Sequence, residues 1–493
     1  MAASSTAPVL RDSLARAAAE TPRAAAVIES RRRATRVLSW SELAETSASW
    51  AASLRRRLTG GSPAARPALV VPVSNTLEGV LRLVAALSAE LPVFPVGAAT
   101  PAPELARLMD LVADAHGTAY RMPRDPDGAP ERVAGPPSAP AADADVDYLL
   151  AGGGTSGRPR LSAGSFGDGS LTGLRLLLRR TGWRERTRQI VLGPLSHSAP
   201  FLSAVAGLAD RHTLVVQGVF SPDRAVATIA EHGVEWLQVT PSHMRRMLEA
   251  APRRGDLARL RGLLHTAAPC DVATKRAWLD LLGPERVFEM YGATEQIGMT
   301  LARGDEWLSR PGTVGKGFLT QLRILDDDGA VLPPGRVGTV FMRRGSRRSR
   351  ALAGAAPGLR HTVDGFLSVG DQGRLDEDGY LHLVGRRADM MTVGGSNVYP
   401  AEIERVVLEL PGVRDVAVVA HPHADLGSVP HAHVVPAPGS GLTPADVARH
   451  CRAALSPAQR PRTIAFVAEL PRTDAGKLHR WRVTNHAQED TAP

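Results

Sequence analysis

Four short apolar runs alternate with stretches of helical periodicity between residues 212 and 292. Short runs rich in Val, Leu and Phe predict buried strands, and the stretches between them predict crossover helices. The predicted helices begin at residues that suit an N-cap or a first turn, namely Ser221, Pro222, Thr240, Pro241 and Asp271. Alternation of strand and helix is typical of a parallel sheet, so ligands are expected beside the polar loops that follow the strands.

The two ends of the chain have different patterns. The first twenty residues predict an amphipathic helix rather than a signal peptide, and residues 67–73 predict a buried strand that leads into a helix. Residues 121–146 are rich in Pro, Gly and Asp, which predicts a loop. Beyond about residue 385, short strands and capped helices predict a small α+β unit. We therefore predict an α/β protein whose large N-terminal domain has mostly parallel sheets and crossover helices, followed by a small α+β C-terminal domain.

The composition argues against several classes of protein. The chain has 493 residues, a net charge of +9 and 43% apolar residues. Its basic residues are interspersed with acidic ones and aromatic residues make up only 4%, so no nucleic-acid partner is expected. The two cysteines, Cys270 and Cys451, match no zinc or redox spacing, and no apolar run approaches the roughly 20 residues of a membrane span. We expect a cytoplasmic protein without a membrane span.

A segment rich in glycine and hydroxyl groups, YLLAGGGTSGRPRLS, follows an apolar strand from residue 148. Its backbone N–H groups, the hydroxyls of Thr155 and Ser156 and the charge of Arg160 suit a phosphate group. The segment also fits G-x-G-x-x-G, but Pro159 and a continuing loop stand where a dinucleotide fingerprint requires a helix, and the G-K-[ST] of a Walker loop is absent. On this pattern alone, a phosphate-binding loop and a plain glycine linker both remain open.

Other polar side chains follow a predicted strand or lie among glycines. The segment FEMYGATEQIG offers a ring at Tyr291, a hydroxyl at Thr294 and a carboxylate at Glu295 that could hold Mg²⁺. Taken alone, this segment is better explained as a strand end with a plain polar turn. Asp371 and Arg386 are each set among glycines. They could grip ribose hydroxyls, or they could form an internal ion pair.

Four histidines form two H-x-H pairs near Asp425, at His421, His423, His431 and His433. Alternation places each pair on one face of a strand. This allows a metal site as an alternative, although no cysteine or carboxylate completes the set at a familiar spacing.

Lysine is scarce in this chain. Of the 59 Lys and Arg residues, only three are lysine: Lys275, Lys316 and Lys477. A lysine kept under such a bias indicates a position where a compact ammonium is needed and a planar guanidinium does not fit. We apply this argument to Lys477, in the segment ELPRTDAGKLHR.

The order of these segments resembles that of the adenylate-forming superfamily of acyl-CoA synthetases, stand-alone adenylation domains and luciferases. The segments that carry the resemblance are the glycine/hydroxyl loop, PLSHSAPF, HTAAPC, YGATE, SVGD, GRRADMMTVGG and PRTDAGKLHR. The resemblance runs from residue 38 to Arg480 and is closest to bacterial CoA ligases of aryl, alicyclic and steroid-type acids. It implies that the small C-terminal domain is mobile and rotates between two poses, one for each half-reaction.

The resemblance implies a site for ATP and Mg²⁺. The glycine/hydroxyl loop would wrap the β- and γ-phosphates, a ring would lie beside adenine, and a carboxylate would bind both ribose hydroxyls. The residues implied for ATP are Thr155, Ser156, Gly157, Arg160, Ala267, Ala268, Pro269, Tyr291, Gly292, Thr294, Asp371 and Arg386. Glu295 would hold Mg²⁺ and Thr294 would bind the α-phosphate. Arg160 stands where the family usually has lysine, which keeps the charge.

The resemblance also implies a pocket for the acid, gated by His197. Its implied wall consists of His197, Ser198, Phe201, Ala267, Met290, Ile297 and Gly298. Adenylation domains for α-amino acids place an Asp after the aromatic residue of the histidine region, and LSHSAPFLSA contains no acid. An aryl or alicyclic carboxylic acid is therefore expected. Ser198 stands where related ligases often have Asn, so any polar contact to the ring is altered.

Two residues of the C-terminal part have implied roles in the two half-reactions. Lys477 takes the place of the catalytic lysine, which touches the acid oxygen and the α-phosphate in the first step and swings away in the second. Catalysis would involve Lys477, His197 and Glu295. Ala388 takes the place of the pivot, which is usually Asp or Lys. The implied division is an N-terminal adenylating domain (1–384), a hinge (385–388) and a C-terminal lid domain (389–493).

The leading prediction is an AMP-forming acid–CoA ligase that uses ATP, Mg²⁺ and coenzyme A. It would convert the acid to an acyl-adenylate, release pyrophosphate and transfer the acyl group to CoA. The alternative is a stand-alone adenylating enzyme of specialised metabolism, which passes the acyl group to the thiol of an acyl or peptidyl carrier protein or to a nitrogen nucleophile. A non-catalytic binding protein is disfavoured because Lys477, Glu295, Asp371 and Arg386 are all present.

Overall fold

The computed structural model describes residues 7–32, 34–59, 66–134, 146–152, 160–166, 170–250, 254–344, 359–472, 478–480 and 482–483. The helices are α1 Ala7–Glu20, α2 Trp40–Thr59, α3 Leu77–Ser88, α4 Ala102–His116, α5 Ser170–Arg179, α6 Ser198–Ala209, α7 Pro222–Glu231, α8 Pro241–Ala250, α9 Val272–Leu282, α10 Gly304–Ser309, α11 Pro400–Leu408 and α12 Pro444–Ala454. Short 3₁₀ turns are formed by Arg254–Arg259, Pro284–Arg286, Arg387–Asp389 and Pro457–Gln459.

The strands fall into three sheets. The strands are β1 Ala25–Ser30, β2 Thr35–Ser39, β3 Ala68–Val73, β4 Val93–Gly97, β5 Ala119–Arg121, β6 Glu131–Ala134, β7 Tyr148–Gly152, β8 Arg160–Gly164, β9 Arg188–Val191, β10 Thr213–Val216, β11 Trp236–Val239, β12 Gly262–His265, β13 Val287–Gly292, β14 Met299–Arg303, β15 Thr313–Gly317, β16 Gln321–Leu325, β17 Gly338–Arg343, β18 Arg360–His361, β19 Leu367–Ser368, β20 Asp371–Leu375, β21 Leu381–Arg386, β22 Met391–Val393, β23 Ser396–Val398, β24 Val413–His423, β25 Gly427–Pro436 and β26 Thr463–Phe466.

Capping residues begin several of the helices. Thr76 accepts a hydrogen bond from the Gly79 N–H at 3.1 Å before α3, and Asp271 accepts one from the Thr274 N–H at 2.7 Å before α9. Ser221 precedes α7 as predicted, although its side chain makes no capping bond. These bonds satisfy backbone N–H groups that the first helical turn leaves without partners.

The largest sheet contains fifteen strands of the described chain. Its order is β18-β19-β17-β20-β21-β15-β14-β13-β12-β11-β9-β10-β1-β2, with β16 beside β17. The strands from β1 through β10, β9, β11 and β12 to β13 pair parallel, as the sequence predicts. From β14 onwards the pairs are antiparallel, and some of them, such as β13–β14 and β20–β21, are joined directly without a helical crossover. The sheet is therefore mixed, and the alternation of strand and helix predicts only its parallel half.

A second sheet of six strands has the order β6-β5-β3-β4-β7-β8. Strand β6 lies inside residues 121–146, for which the sequence predicts only a loop, so that prediction is wrong for Glu131–Ala134. The short polar segment is a strand because it pairs antiparallel with β5 at the edge of the sheet.

The smaller unit follows residue 390. Its sheet has the order β23-β22-β25-β24, with β26 beside β25. Helices α11 and α12 contribute Ile403, Val407 and Val447 to a core shared with Val418 and Val434. The predicted α/β fold with a large N-terminal unit and a smaller α+β unit is confirmed, while the domain boundaries stay predictions. No helix in the described ranges combines the length and apolar character needed to cross a membrane.

Candidate active site

A cavity of about 2300 Å³ opens at the carboxyl ends of β12 and β13. Its wall includes the start of β20, the end of β21 and three residues near the end of the described chain, Leu478, His479 and Arg480. Ligands of open α/β sheets bind outside the carboxyl ends of the strands. The cavity therefore brings together segments that are far apart in the sequence, at the edge where a ligand is expected.

Asp371 joins two other predicted site residues in this wall. Strands β20 and β21 pair so that Asp371 lies opposite Arg386. Arg386 Nε donates to Asp371 Oδ1 at 3.0 Å, and the Tyr291 hydroxyl donates to Asp371 Oδ2 at 2.6 Å. Only 6% of Asp371 is exposed, so a cation and a phenol hold its carboxylate in a fixed direction.

The phenol of Tyr291 remains a donor at physiological pH. Burial, and then the negative charge of Asp371, raise the pKa of Tyr291 well above its usual value. The hydroxyl therefore stays protonated and keeps its bond to Asp371, which holds the ring in the wall beside Gly292. A flat ring next to a carboxylate and a guanidinium matches a ligand with a planar base and a sugar with two hydroxyl groups.

The turn after β13 carries Thr294 and Glu295 into the cavity wall. The Gln296 N–H closes this turn by donating to the Ala293 carbonyl at 2.9 Å. A single carboxylate such as Glu295 suits Mg²⁺ that is otherwise held by phosphate oxygens and water. The described residues contain no group of three or more His, Cys, Asp or Glu side chains that could hold a metal alone. Glu295 therefore fits Mg²⁺ in combination with a phosphate ligand.

The chain bends sharply after β12. Ala267 has a φ of 82°, a left-handed conformation that is uncommon for a residue with a Cβ. Ala268 and Pro269 follow it, and all three residues line the cavity. Backbone strain of this kind persists where the surrounding structure fixes it, and it is concentrated at binding sites.

His197 and Ser198 lie at the start of α6, where His197 is the N-cap residue and Ser198 is the first helical residue. Both line the cavity, as do Met290 and Gly298. A Cβ at Gly298 would lie 2.5 Å from Thr320 Cγ2, so packing behind the wall requires glycine at this position.

Phe201 and Ile297 do not line the cavity, although the resemblance implies them for the acid pocket. Both are 0% exposed. Phe201 packs against Tyr148 and Phe166, with ring centroids 5.3 and 5.9 Å away, and Ile297 lies in a separate apolar cluster. They pack behind the cavity wall and support it. The sequence shows that both residues are apolar, but it does not show whether an apolar residue lines the cavity or packs behind its wall.

Sequence reasoning missed several residues of the wall. On the apolar side these are Phe166, Leu171, Leu174, Leu202 and Met299, and on the polar side Tyr148 and Gln296. Tyr148 and Gln296 stand inside the motifs YLLAGGG and YGATEQ, so the motifs contained a signal that was not used.

The predicted phosphate loop lies mostly outside the described residues. Thr155, Ser156 and Gly157 fall in the range 153–159. Gly152 and Arg160, at its two ends, pair with each other in β7 and β8, and the side chain of Arg160 is also outside the description. The role of this loop stays a prediction.

Lys477 falls in the range 473–477, which is also outside the described residues. On either side of it, Arg472 and Leu478 pair in an isolated bridge, and both line the cavity. Arg472 donates to both carboxylate oxygens of Asp415, at 2.8 and 2.6 Å. The chain therefore enters and leaves this range at the cavity wall.

Ala388 is exposed in the 3₁₀ turn that directly follows β21. Arg387 on one side pairs with Asp327, and Asp389 on the other has its Oδ2 3.7 Å from Arg480 Nε. Burial raises the pKa of the Asp389 carboxyl group. Charged contacts thus flank Ala388, and its role as a pivot stays a prediction.

The two histidine pairs lie on β24 and β25. The rings of His421 and His431 are stacked, with centroids 4.3 Å apart and an interplanar angle of 4°. Because no set of metal-binding side chains is present in the described ranges, the alternative of a histidine metal site is not supported.

The profile of the family described as AMP-binding enzyme matches residues 108–346. The profile of the AMP-binding enzyme C-terminal domain matches residues 402–477. The chain therefore belongs to the adenylate-forming superfamily of AMP-binding enzymes that its motif order resembles.

Two curated relatives and one solved structure are similar to the chain. It is 33% identical over 296 residues to 3-[(3aS,4S,7aS)-7a-methyl-1,5-dioxo-octahydro-1H-inden-4-yl]propanoyl:CoA ligase of Mycobacterium tuberculosis. It is 31% identical over 288 residues to fatty acid–[acyl-carrier-protein] ligase ScoC of Streptomyces coeruleorubidus. These matches cover 59% and 57% of this chain, and only 57% and 55% of the two relatives. ATP-bound MatB from Rhodopseudomonas palustris shares the fold, with a TM-score of 0.78 at 24% identity, over 98% of this chain and 100% of that one.

Proposed function

We propose that this chain activates a carboxylic acid with ATP to an acyl-adenylate, releases pyrophosphate and transfers the acyl group to coenzyme A. The observation that carries the proposal is the cluster of Asp371 with Tyr291 and Arg386, next to Thr294 and Glu295 in the wall of one cavity. Membership of the AMP-binding enzyme family supports the AMP-forming chemistry, and a relative named as a CoA ligase supports CoA as the acceptor.

The nucleoside end of ATP suits the cluster around Asp371. Each oxygen of a carboxylate has two lone-pair directions, so Asp371 can accept from the ribose hydroxyls while it accepts from Tyr291 and Arg386. The ring of Tyr291 would lie beside adenine, and the bend at Ala267 would border the same space. This arrangement leaves the phosphates near the turn that carries Thr294 and Glu295.

In the first step the acid carboxylate attacks the α-phosphorus and pyrophosphate leaves. Two anions must approach each other, so positioning and stabilisation of charge supply most of the catalysis. Thr294 would donate to the α-phosphate, and the Lys477 ammonium would contact both the acid oxygen and the α-phosphate. Mg²⁺ bound at Glu295 would neutralise charge on the phosphates. In the second step a thiol attacks the acyl carbonyl and AMP leaves.

The acid would occupy the apolar side of the cavity. Phe166, Leu202, Met290 and Met299 line this side, with Ser198 as a nearby polar group. An apolar wall with few polar groups favours an aryl or alicyclic acid. An α-amino acid is disfavoured because no carboxylate stands beside His197 in the sequence to bind its ammonium group.

A second candidate acceptor is the phosphopantetheine thiol of a carrier protein or a nitrogen nucleophile. Similarity to ScoC, named as an acyl-carrier-protein ligase, favours the carrier-protein acceptor. Supplying the same acid and ATP with CoA, with a carrier protein or with an amine separates these acceptors. Formation of an acyl-carrier thioester without acyl-CoA would replace the first candidate by the second.

The test of the proposal is ATP–pyrophosphate exchange with a panel of aryl and alicyclic acids, with AMP as the expected nucleotide product. Formation of ADP and phosphate alone would contradict adenylation.

Lys477→Ala should lower exchange by about 10²- to 10³-fold, whereas transfer from a preformed acyl-adenylate to CoA should change far less. Lys316→Ala removes the exposed lysine that lies 4.5 Å from the Tyr380 ring, outside the cavity wall, and serves as the matched control.

A further inference from the structure

Tyr148 occupies a slot between the second sheet and the cavity. It lies opposite Gly164 in the antiparallel pair β7 and β8. A Cβ built on Gly164 would lie 2.2 to 2.4 Å from the ring and hydroxyl of Tyr148. Glycine on the neighbouring strand is therefore required for the Tyr148 ring to lie across β8.

The ring of Tyr148 is fixed by two other aromatic rings. The centroid of Phe166 lies 4.6 Å away and that of Phe201 lies 5.3 Å away, both in tilted arrangements that aromatic pairs favour. Only 1% of Tyr148 is exposed. Because the ring is buried against these two rings, the aromatic cluster fixes the position of its hydroxyl.

The Tyr148 hydroxyl accepts a hydrogen bond from the side-chain amide of Gln296. Gln296 has a φ of 54°, in the left-handed region that is uncommon for a side chain of this size. Such a conformation costs free energy and persists only where surrounding contacts determine it. The bond to Tyr148 is one such contact, and it acts on the residue directly after Glu295.

We propose that Tyr148 is a positioning residue for phosphate and Mg²⁺ binding. Through Gln296 it fixes the Ala293–Gln296 turn, and with it the side chains of Thr294 and Glu295. The aromatic cluster of Tyr148, Phe166 and Phe201 thereby sets the part of the site that receives the phosphates, while Asp371 sets the part that receives the nucleoside. This inference rests on the proposed function, because that function supplies the roles of Thr294 and Glu295.

Binding measurements test this inference without turnover. Tyr148→Phe keeps the ring and removes the hydroxyl, and Gln296→Met keeps the length of the side chain and removes the amide. Each variant should weaken binding of Mg·ATP, measured by titration calorimetry, by about tenfold, the effect expected from one buried hydrogen bond. Adenosine, which lacks the phosphates, should bind within about twofold of the unchanged chain. The double variant should lose less affinity than the sum of the two single losses, because both single variants remove the bond that joins the two side chains.

Tyr380→Phe is the matched control, since the Tyr380 hydroxyl donates to Glu306 at 2.9 Å and Tyr380 does not line the cavity. It should leave both affinities unchanged. Unchanged Mg·ATP affinity in Tyr148→Phe, equal losses for adenosine and Mg·ATP, or additive effects in the double variant would each overturn the inference. Absence of pyrophosphate exchange in the unchanged chain with every acid would instead contradict the proposed function. In that case the affinities for Mg·ATP and adenosine, compared between Tyr148→Phe and the unchanged chain, still decide the role of Tyr148.

Discussion

Glu289 and Tyr291 are two residues apart on β13, so they point to the same face of the strand, yet they belong to two different charged clusters. Glu289 is bound by Lys275, which is 1% exposed. Tyr291 is bound to Asp371, whose other partner, Arg386, has 43% of its side chain exposed. The carboxylates of Glu289 and Asp371 are almost equally buried, at 7% and 6% exposed, and both residues border the cavity. The two clusters differ in their cations, so we call the cluster of buried Lys275 the sealed cluster and that of exposed Arg386 the open cluster.

The sealed cluster satisfies its own charges. Lys275 Nζ donates to Glu289 Oε2 at 3.2 Å, contacts His265 Nε2 and lies 5.7 Å from the centre of the Trp307 ring. Burial, and then the charge of Lys275, lower the pKa of His265 well below its ordinary value. The imidazole is therefore neutral and accepts from the ammonium, and among the described residues Glu289 is the carboxylate that balances the positive charge of Lys275.

The open cluster is built from the same types of group and has a different consequence. Its carboxylate is buried, but the guanidinium reaches the cavity, so a ligand that enters contacts groups whose directions are already fixed. The comparison teaches that charge pairing by itself does not mark a functional site. Exposure of the cation to the cavity, at the carboxyl edge of the sheet, distinguishes the open cluster from the sealed one.

The largest expected effect comes from breaking the sealed pair. Lys275→Met should lower the free energy of unfolding by about 3–5 kcal/mol, because it removes the ammonium bonded to the buried carboxylate of Glu289 and leaves the His265 imidazole, 3.7 Å away, beside it. The double change Lys275→Met with Glu289→Leu should recover part of this loss, since no charge then remains buried. Urea unfolding followed by tryptophan fluorescence measures both. A loss of less than about 1 kcal/mol in the single variant would show that the pair is not structurally important.

Sequence reasoning found the open cluster because its members stand where patterns are informative. Asp371 and Arg386 lie among glycines and Tyr291 follows an apolar run, and their order along the chain resembles a known family. The sealed cluster was missed because Lys275 lies within a predicted helix, and the residue type alone does not show whether a helical lysine faces solvent or the core. The scarcity of lysine was the available signal, since the argument applied to Lys477 holds for Lys275 as well.

In the fold as well, features set by neighbouring residues could be predicted from the sequence, whereas contacts between residues far apart in the sequence could not. Helix starts such as Ser221 and Asp271 follow from local sequence preferences and were predicted. The contact between Lys275 and Glu289 depends on how α9 packs over β13, and the contact between Tyr148 and Gln296 joins residues 148 positions apart. Periodicity specifies which face of an element is apolar, and it does not specify which distant element covers that face.

The next effect concerns the open cluster. Asp371→Asn keeps the size of the side chain but removes the charge that Arg386 and Tyr291 bind, so ATP binding should suffer more than stability does. We expect exchange at low ATP concentration to fall by about 10²-fold, a loss comparable to that of charged hydrogen bonds. The free energy of unfolding should change less than in Lys275→Met. Exchange at varied ATP, together with urea unfolding of both variants, makes the comparison. A larger loss of stability than of activity would place Asp371 with the sealed cluster.

A smaller effect is expected where the open cluster adjoins the predicted hinge. Ala388 lies two residues after Arg386, and proline at this position would fix φ near −65°. Ala388→Pro should therefore hinder the change of pose between half-reactions and slow transfer from acyl-adenylate to CoA by about tenfold, while exchange stays near that of the unchanged chain. Both rates are measured on the same variant. If transfer keeps pace with exchange, residue 388 is not the pivot and the hinge lies elsewhere in VGRRADMM.

The smallest effect is the pH dependence of the sealed cluster. The folded pKa of His265 lies well below its ordinary 6.5. Below pH 6.5 the unfolded chain therefore binds a proton at this residue that the folded chain does not bind. Stability must then fall as the pH falls, by up to about 1.4 kcal/mol per pH unit from this residue.

Comparison with His265→Asn isolates this contribution to the pH dependence. The pKa values of His212 and His243, each lowered to about 4, act in the same direction as His265, and the raised pKa of Glu289 acts in the opposite direction. All three groups remain in His265→Asn, so they contribute to both chains. The difference in unfolding free energy between the two chains should therefore shift with pH between 6.5 and 5.5, in favour of the variant on acidification. A difference that stays constant over this window would mean that His265 takes up protons to the same extent in the folded and unfolded chains. The imidazole would then become charged on acidification, and the ammonium of Lys275 would lose the neutral acceptor that the sealed cluster requires.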